Sequence, residues 1–261
     1  MKIVIPSYNR YDKRFELLDR MPEEFIKDTF VCVREEQVKL YERTVKSSAT
    51  IVPLTKSQDI QSTRNEILEL FDGNIMMIDD DTTFREWNGK GFVQSYQESN
   101  ARLFHEMRRL LESGFVHASV AQPVVGARTN GKLIHNTRYG AVLAYNTDML
   151  KRLGVTFRVP YMEDMELALN LTRQGFPSAI ITKWIIKTPP INSNAGGCST
   201  MRNSKNHNKS AKKLAKAYHP FVKAKKSRAW KGMENRLDVV VSWKKLFEKS
   251  PIKHIPRGYN V

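Results

Sequence analysis

The sequence predicts an α/β protein: a Rossmann-like sheet with a parallel amino-terminal half and a mixed second half, then a basic, partly helical carboxyl-terminal segment. Three observations carry the prediction. Short apolar runs alternate with helical spacings through the first 80 residues. Four consecutive apolar residues, Ile75 to Ile78, follow Gly73-Asn74 and run into Asp79-Asp80-Asp81, as in a buried strand that ends in charge. Finally, residues 202 to 236 hold twelve Lys and Arg and a single acid, Glu234, so charge is segregated along the chain.

Length and composition set the frame for these elements. At 261 residues and 41% hydrophobic, the chain fills one sizeable core with room for a small appendage. The expected division is a main domain over 1–200 and a basic extension over 201–261 that packs on it. The net charge of +16 creates a field that attracts polyanions, which makes nucleic acid or an anionic surface a candidate partner. No apolar run reaches bilayer-spanning length, and MKIVIPSYNR is too short an apolar start for a signal peptide. The two cysteines, Cys32 and Cys198, lie far apart without metal-ligand spacing and read as free thiols. A cytoplasmic protein without stable membrane association is expected.

Taken in order, Lys2 to Pro6 is a strand, and Pro6-Ser7-Tyr8-Asn9-Arg10 after it offers hydroxyl, amide and guanidinium groups suited to a nucleotide. A short helix through Phe15 to Met21 stops at Pro22, a strand covers 29–33, a helix 35–46 and a third strand 49–53. Ser57 to Phe71 has Ile60, Ile67, Leu68 and Phe71 at helical spacing before Gly73. Arg64 falls inside that helix, either as a solvated charge or as a phosphate contact. The acid-ended strand comes next. Two acids one residue apart at such an edge can hold a hard divalent cation against a diphosphate, and an Asx-rich turn is the structural alternative. Neither GxGxxG nor GxxxxGK[ST] is present, which argues against dinucleotide and P-loop folds.

The second half reads as a helix over 92–113, an apolar run over 116–125 and an Asn130-Gly131 hairpin turn. Strand pairing is expected to turn antiparallel here. A strand over 139–145 leads into a helix capped near Asn146, and Pro160 to Gly175 forms another helix with Glu163 and Asp164 in its first turn. There the acids serve as simple capping groups unless a site recruits them. An apolar stretch over 178–186 precedes Asn194-Ala195-Gly196-Gly197-Cys198, where paired glycines fit a loop closing over a ligand or a flexible linker. The basic segment interleaves Lys205, Lys209, Lys212, Lys213, Lys216, Lys223, Lys225, Lys226 and Arg228 with Tyr218, Phe221 and Trp230. Such a pattern suits a nucleic-acid backbone, or else a solvated helix face.

The ordered set IVIPSYNR, STRN, IMMIDDDTTF and YMEDMEL resembles the GT-A glycosyltransferases. With NAGGCSTMR and the basic tail it is similar, more narrowly, to the TET-associated glycosyltransferases of phages, which are thought to place sugars on hydroxymethylated pyrimidines in DNA. The resemblance implies a GT-A fold and a D-x-D motif at Asp79 and Asp81 holding Mn²⁺ or Mg²⁺, with His207 as a further metal ligand and His219 in reserve. It implies nucleotide-sugar contacts from Pro6, Ser7, Tyr8, Arg10, Arg64, Asp79, Asp80, Gly196 and Gly197, and an acceptor-activating base at Asp164 or Glu163. The implied reaction moves a glucose-like hexose from a UDP-type donor to a hydroxymethyl pyrimidine in DNA, by inverting single displacement. A glycan or lipid-linked acceptor is the first alternative, a non-catalytic nucleic-acid-binding module the second.

Overall fold

The computed structural model describes residues 1–45, 49–129, 131–189, 203–228 and 233–259. The parallel half runs β1 (Lys2–Pro6), α1 (Glu16–Asp19), α2 (Glu23–Ile26), β2 (Thr29–Arg34), a 3₁₀ turn (Glu35–Gln37), α3 (Val38–Val45), β3 (Thr50–Leu54), α4 (Ile60–Leu70) and β4 (Asn74–Ile78). The chain continues through β5 (Thr83–Trp87), β6 (Phe92–Gln94), α5 (Gln97–Glu112), β7 (His117–Ala121), α6 (Pro123–Thr129), β8 (Ile134–His135), β9 (Val142–Asn146), α7 (Thr147–Arg152), α8 (Glu163–Arg173) and β10 (Ser178–Lys187). Last come α9 (Ser204–Ala217), β11 (Val222–Lys226), β12 (Leu237–Val241) and α10 (Trp243–Glu248).

One mixed sheet organises the molecule, in the order β3-β2-β1-β4-β9-β7-β10-β5-β6, with β8 on β10. The first four strands are mutually parallel, and β9 then pairs antiparallel to both β4 and β7. Alternation along the strands builds a core on each face. Ile3, Ile5, Met76 and Ile78 join the cluster under α1, α2, α3 and α5, while Val4, Ile75 and Met77 join the one under α4, α7 and α8. A strand buried on both faces must be apolar at every position, which is why Ile75 to Ile78 is an unbroken run.

Local signals place the helices that carry the site. Asp59 caps α4 by accepting from Ser62 N, and the Ser62 hydroxyl returns to the Asp59 amide, a reciprocal capping box that sets where Arg64 emerges. Asn146 caps α7 through Met149 N, as its position after the strand predicts. A third cluster fastens the basic segment to the sheet's helical layer. Ala211, Leu214 and Tyr218 pack with Met162 and with Met165 and Leu169 of α8, and Val222, Val239 and Leu246 complete the contact.

Two expectations need correction. The helix expected over 92–113 begins at Gln97, because Phe92, Val93 and Gln94 pair with β5 as a strand and only mimic helical spacing. The expected hairpin at Asn130-Gly131 is absent from the described residues: α6 occupies 123–129, and β8 pairs with β10 rather than β7. Inside α6, Gly126 permits close approach to the sheet, since a Cβ there would overlap Ile185. Gly196, Gly197 and Cys198 lie outside the described residues, as do Asn130 and Trp230. Cys32 is a buried free thiol. Among the described residues no helix is long and apolar enough to cross a membrane.

Candidate active site

The carboxyl ends of β1 and β4 lie side by side, because those strands pair in parallel with Val4 opposite Met77. Pro6-Ser7-Tyr8-Asn9-Arg10 therefore meets Asp79-Asp80-Asp81. Ser7 Oγ donates to Asp80 Oδ2 at 2.5 Å and lies 2.8 Å from the Tyr41 hydroxyl, which also accepts from Arg10 N at 3.0 Å. Asn9 is held by Gln37 through its amide and side chain and sits in the left-handed region at φ 54°. These contacts hold Arg10 over the acids, where its Nη1 pairs with Asp80 and lies 2.8 Å from Asp81 Oδ2.

A second arginine works from the other side. Arg64 is 4% exposed, with Nη1 at 2.5 Å from Glu163 Oε1 and Nη2 at 3.2 Å from Asp79 Oδ1. Burial opposes its charge, but Glu163, Asp79 and Asp164 outweigh that and keep the guanidinium protonated. The solvated-charge alternative for Arg64 is thereby replaced by a buried pair. Asp79 is pushed above the usual carboxylate range by burial, with Asp81 and Asp164 adding repulsion and Arg64 pulling back. Burial likewise raises Asp80 against the pull of Arg10 and Ser7, which makes Asp80 a supporting group for Ser7 and Arg10.

The helix α8 brings in two further acids, Glu163 and Asp164, in its first turn. Met162 precedes it at φ 59°, a left-handed conformation costly for a residue with a Cβ, and Ala141 across the cleft has φ 63°. Glu163 is taken by Arg64, whereas Asp164 accepts from its neighbouring Met165 amide at 2.7 Å and has no cation partner among the described residues. Asp79 N donates to Ala141 O at 2.9 Å, so the acid-bearing turn is also anchored to the start of β9. Tyr41, Gln37, Tyr139 and Arg34 were not anticipated. Arg34 stacks on Tyr8 with its guanidinium carbon 4.1 Å from the ring centroid, beside the β1 turn.

A protein-family model for the TET-associated glycosyltransferases matches residues 1–197. The chain belongs to that family. Its relatives include the Beta-glucosyl-HMC-alpha-glucosyl-transferases of Enterobacteria phages T6 and T2, 26% and 25% identical over 231 residues. Each alignment covers 84% of this chain and 81% of the relative. Among solved structures, a mycobacterial protein superposes with a TM-score of 0.55 at 12% identity, covering 92% of this chain and 82% of that one, a likeness of fold. This TET-associated glycosyltransferase has the GT-A arrangement, and its chemistry is nucleotide-sugar-dependent glycosyl transfer.

The remaining expected site residues fall in different places. His207 is 4% exposed on the inward side of α9, and among the described residues no three His, Cys, Asp or Glu side chains converge as a metal cluster. His219, before a cis proline, is exposed. All nine basic residues of the segment are exposed. Lys205, Lys209, Lys212, Lys213 and Lys216 recur at helical spacing on the outer side of α9, Lys223, Lys225 and Lys226 lie on β11, and Arg228 follows.

Proposed function

We propose that this glycosyltransferase moves a glucose-like hexose from a UDP-type donor to a hydroxymethyl pyrimidine of DNA, with a divalent cation at Asp79 and Asp81. The cation reading rests on one observation. Arg64 takes Asp79 Oδ1 and Arg10 takes Asp81 Oδ2, which leaves Asp79 Oδ2 and Asp81 Oδ1 without a protein donor among the described residues. Two hard carboxylate oxygens in a cluster of mutually repelling acids suit Mn²⁺ or Mg²⁺. When bound, the cation would neutralise charge on the donor diphosphate. Arg10 Nε and Arg64 Nε, buried without an acceptor among the described residues, are donors that phosphate oxygens would satisfy. Tyr8 stacked on Arg34, two residues after Pro6, suits the nucleoside end.

Asp164 is the base in this reading, because Glu163 already spends its charge on Arg64. Its carboxylate takes the acceptor hydroxyl's proton. The freed oxygen forms the new bond to the anomeric carbon as the bond to the diphosphate breaks, and the diphosphate leaves with the electron pair. The exposed lysines of the basic segment supply phosphate contacts on the acceptor strand. A duplex-buried base has to be extruded or reached through a widened groove.

Nucleotide sugars screened against hydroxymethylcytosine, hydroxymethyluracil and unmodified DNA, read by nucleoside mass, test the acceptor. The phage relatives' name places a glucosyl-HMC unit on the acceptor side, so glucosylated hydroxymethylcytosine DNA belongs in the panel. A hexose gain on modified DNA alone is expected, and gain on no DNA turns the reading toward a glycan or lipid acceptor. Asp81→Ala should weaken Mn²⁺ binding by at least about 100-fold in calorimetry, as loss of a direct ligand costs more than loss of its supporting shell. The anomeric proton of the product should show inversion; retention removes Asp164 from the role of base.

A further inference from the structure

The segment Tyr139-Gly140-Ala141 touches both halves of the site. At one end, His117 is fully buried, with Nδ1 2.6 Å from the Tyr139 hydroxyl and Nε2 3.0 Å from the Phe176 carbonyl oxygen. A carbonyl has no proton to give, so Nε2 carries the hydrogen and Nδ1 accepts from Tyr139. At the other end, Ala141 O accepts the Asp79 amide at 2.9 Å, and the next carbonyl, Val142 O, accepts from Ser119 Oγ at 2.6 Å. Between these anchors lies Gly140. A Cβ there would stand 2.6 Å from Asp164 Oδ2 and 3.8 Å from its carboxyl carbon.

We infer that the His117–Tyr139 hydrogen bond and the bare Gly140 backbone are a positioning device for Asp164, keeping open the space its carboxylate occupies beside the acid turn. The inference rests on the proposed role of Asp164 as acceptor base. Asp164 is bracketed: Oδ1 accepts from the Met165 amide and Oδ2 lies against Gly140. A side chain added at Gly140 would stand within contact of Oδ2 and force the carboxylate to shift. His117 holds Tyr139 by a bond of fixed direction, and Tyr139 is itself buried at 3% exposure. The left-handed Ala141 then turns the chain so that its carbonyl reaches Asp79. Asp79 on the donor side and Asp164 on the acceptor side are thus referenced to one tripeptide rather than to each other.

Gly140→Ala and Tyr139→Phe, each in the full chain, test this beside Asp164→Asn. Transfer to hydroxymethylcytosine DNA, donor KM and metal-dependent donor hydrolysis are measured for each. Gly140→Ala should lower kcat for transfer about 100-fold, as displacement of a reacting group by an ångström does, with donor KM within about twofold of the parent. Tyr139→Phe should lower kcat in the same direction by roughly tenfold, because Gly140 stays unobstructed while its anchor loosens. A structural fault alone would raise KM and depress hydrolysis together with transfer. If Asp164→Asn is inactive in transfer while Gly140→Ala keeps the parent kcat, the positioning inference falls and the base assignment stands. If Asp164→Asn transfers at the parent rate, the base assignment falls and takes the inference with it.

Discussion

His117 shows how a single side chain can tie stability to pH. Its ring is fully buried between a tyrosine hydroxyl and a backbone carbonyl, and burial pushes the imidazole from 6.5 down to about 4. The unfolded chain takes up a proton near 6.5 that the native protein refuses until about 4. The stability gained by keeping His117 neutral is therefore complete above pH 6.5 and is lost as pH falls toward 4, by about 3 kcal/mol over the window. Urea denaturation at pH 7 and pH 4.5 should show that drop in the parent and a much smaller one in His117→Asn, even if the variant is weaker at both. At this scale the sequence was informative about groups that announce themselves locally. Asp79, Asp81 and Asp164 sit at an element end next to apolar runs, and such positions are readable. Tyr139, Gly140, Tyr41 and Gln37 are not, because each acts through a contact 22 to 34 residues away, or 24 for Gly140 on Asp164, and nothing in their own neighbourhood marks it.

Arg64 belongs to the scale of elements, since it staples the second turn of α4 to the end of β4 and the first turn of α8. Replacing it leaves Glu163, itself 7% exposed, as a buried charge deprived of its arginine. Arg64→Met should therefore cost about 3–5 kcal/mol in chemical denaturation, whereas Arg64→Met with Glu163→Gln should recover most of it. A loss in the double variant equal to the sum of the losses in Arg64→Met and Glu163→Gln alone would mean that the pair carries no coupling. The parallel half was legible because doubly buried strands must be apolar throughout and because Asp59, Asn146 and Gly73 punctuate the helices. The outer strands were not. Thr83-Phe84-Arg85-Glu86-Trp87 mixes charge into an edge region, and Phe92, Val93 and Tyr96 fall at spacings that a helix also satisfies. α6 was obscured by an apolar lead-in and an Asn-Gly pair. Its Gly126 marks close packing on Ile185 and Phe92 rather than a chain reversal.

At the scale of the whole molecule, the excess of positive charge is organised by which faces the third cluster buries. On α9, Ala211 and Leu214 turn inward and Lys205, Lys209, Lys212, Lys213 and Lys216 turn outward, a row about 16 Å long at the helical rise. On β11, Val222 turns inward and Lys223 and Lys225 point to the opposite side of the strand. The cations thus belong to two elements, one row on the helix and one on the hairpin. The inner side of α9 packs on Met162 and Met165, which flank Asp164, so this helix is a basic element beside the proposed base. Binding of modified duplex DNA should weaken steeply as salt rises. Converting Lys209, Lys212, Lys213 and Lys216 to Gln should reduce the slope of log K against log salt by roughly three to four, at about 0.9 per phosphate contact. Converting Lys223, Lys225 and Lys226 to Gln should change that slope by less than about one. The reverse pattern would place the duplex on the hairpin, and a slope near zero in the parent would remove DNA as the partner of this charge.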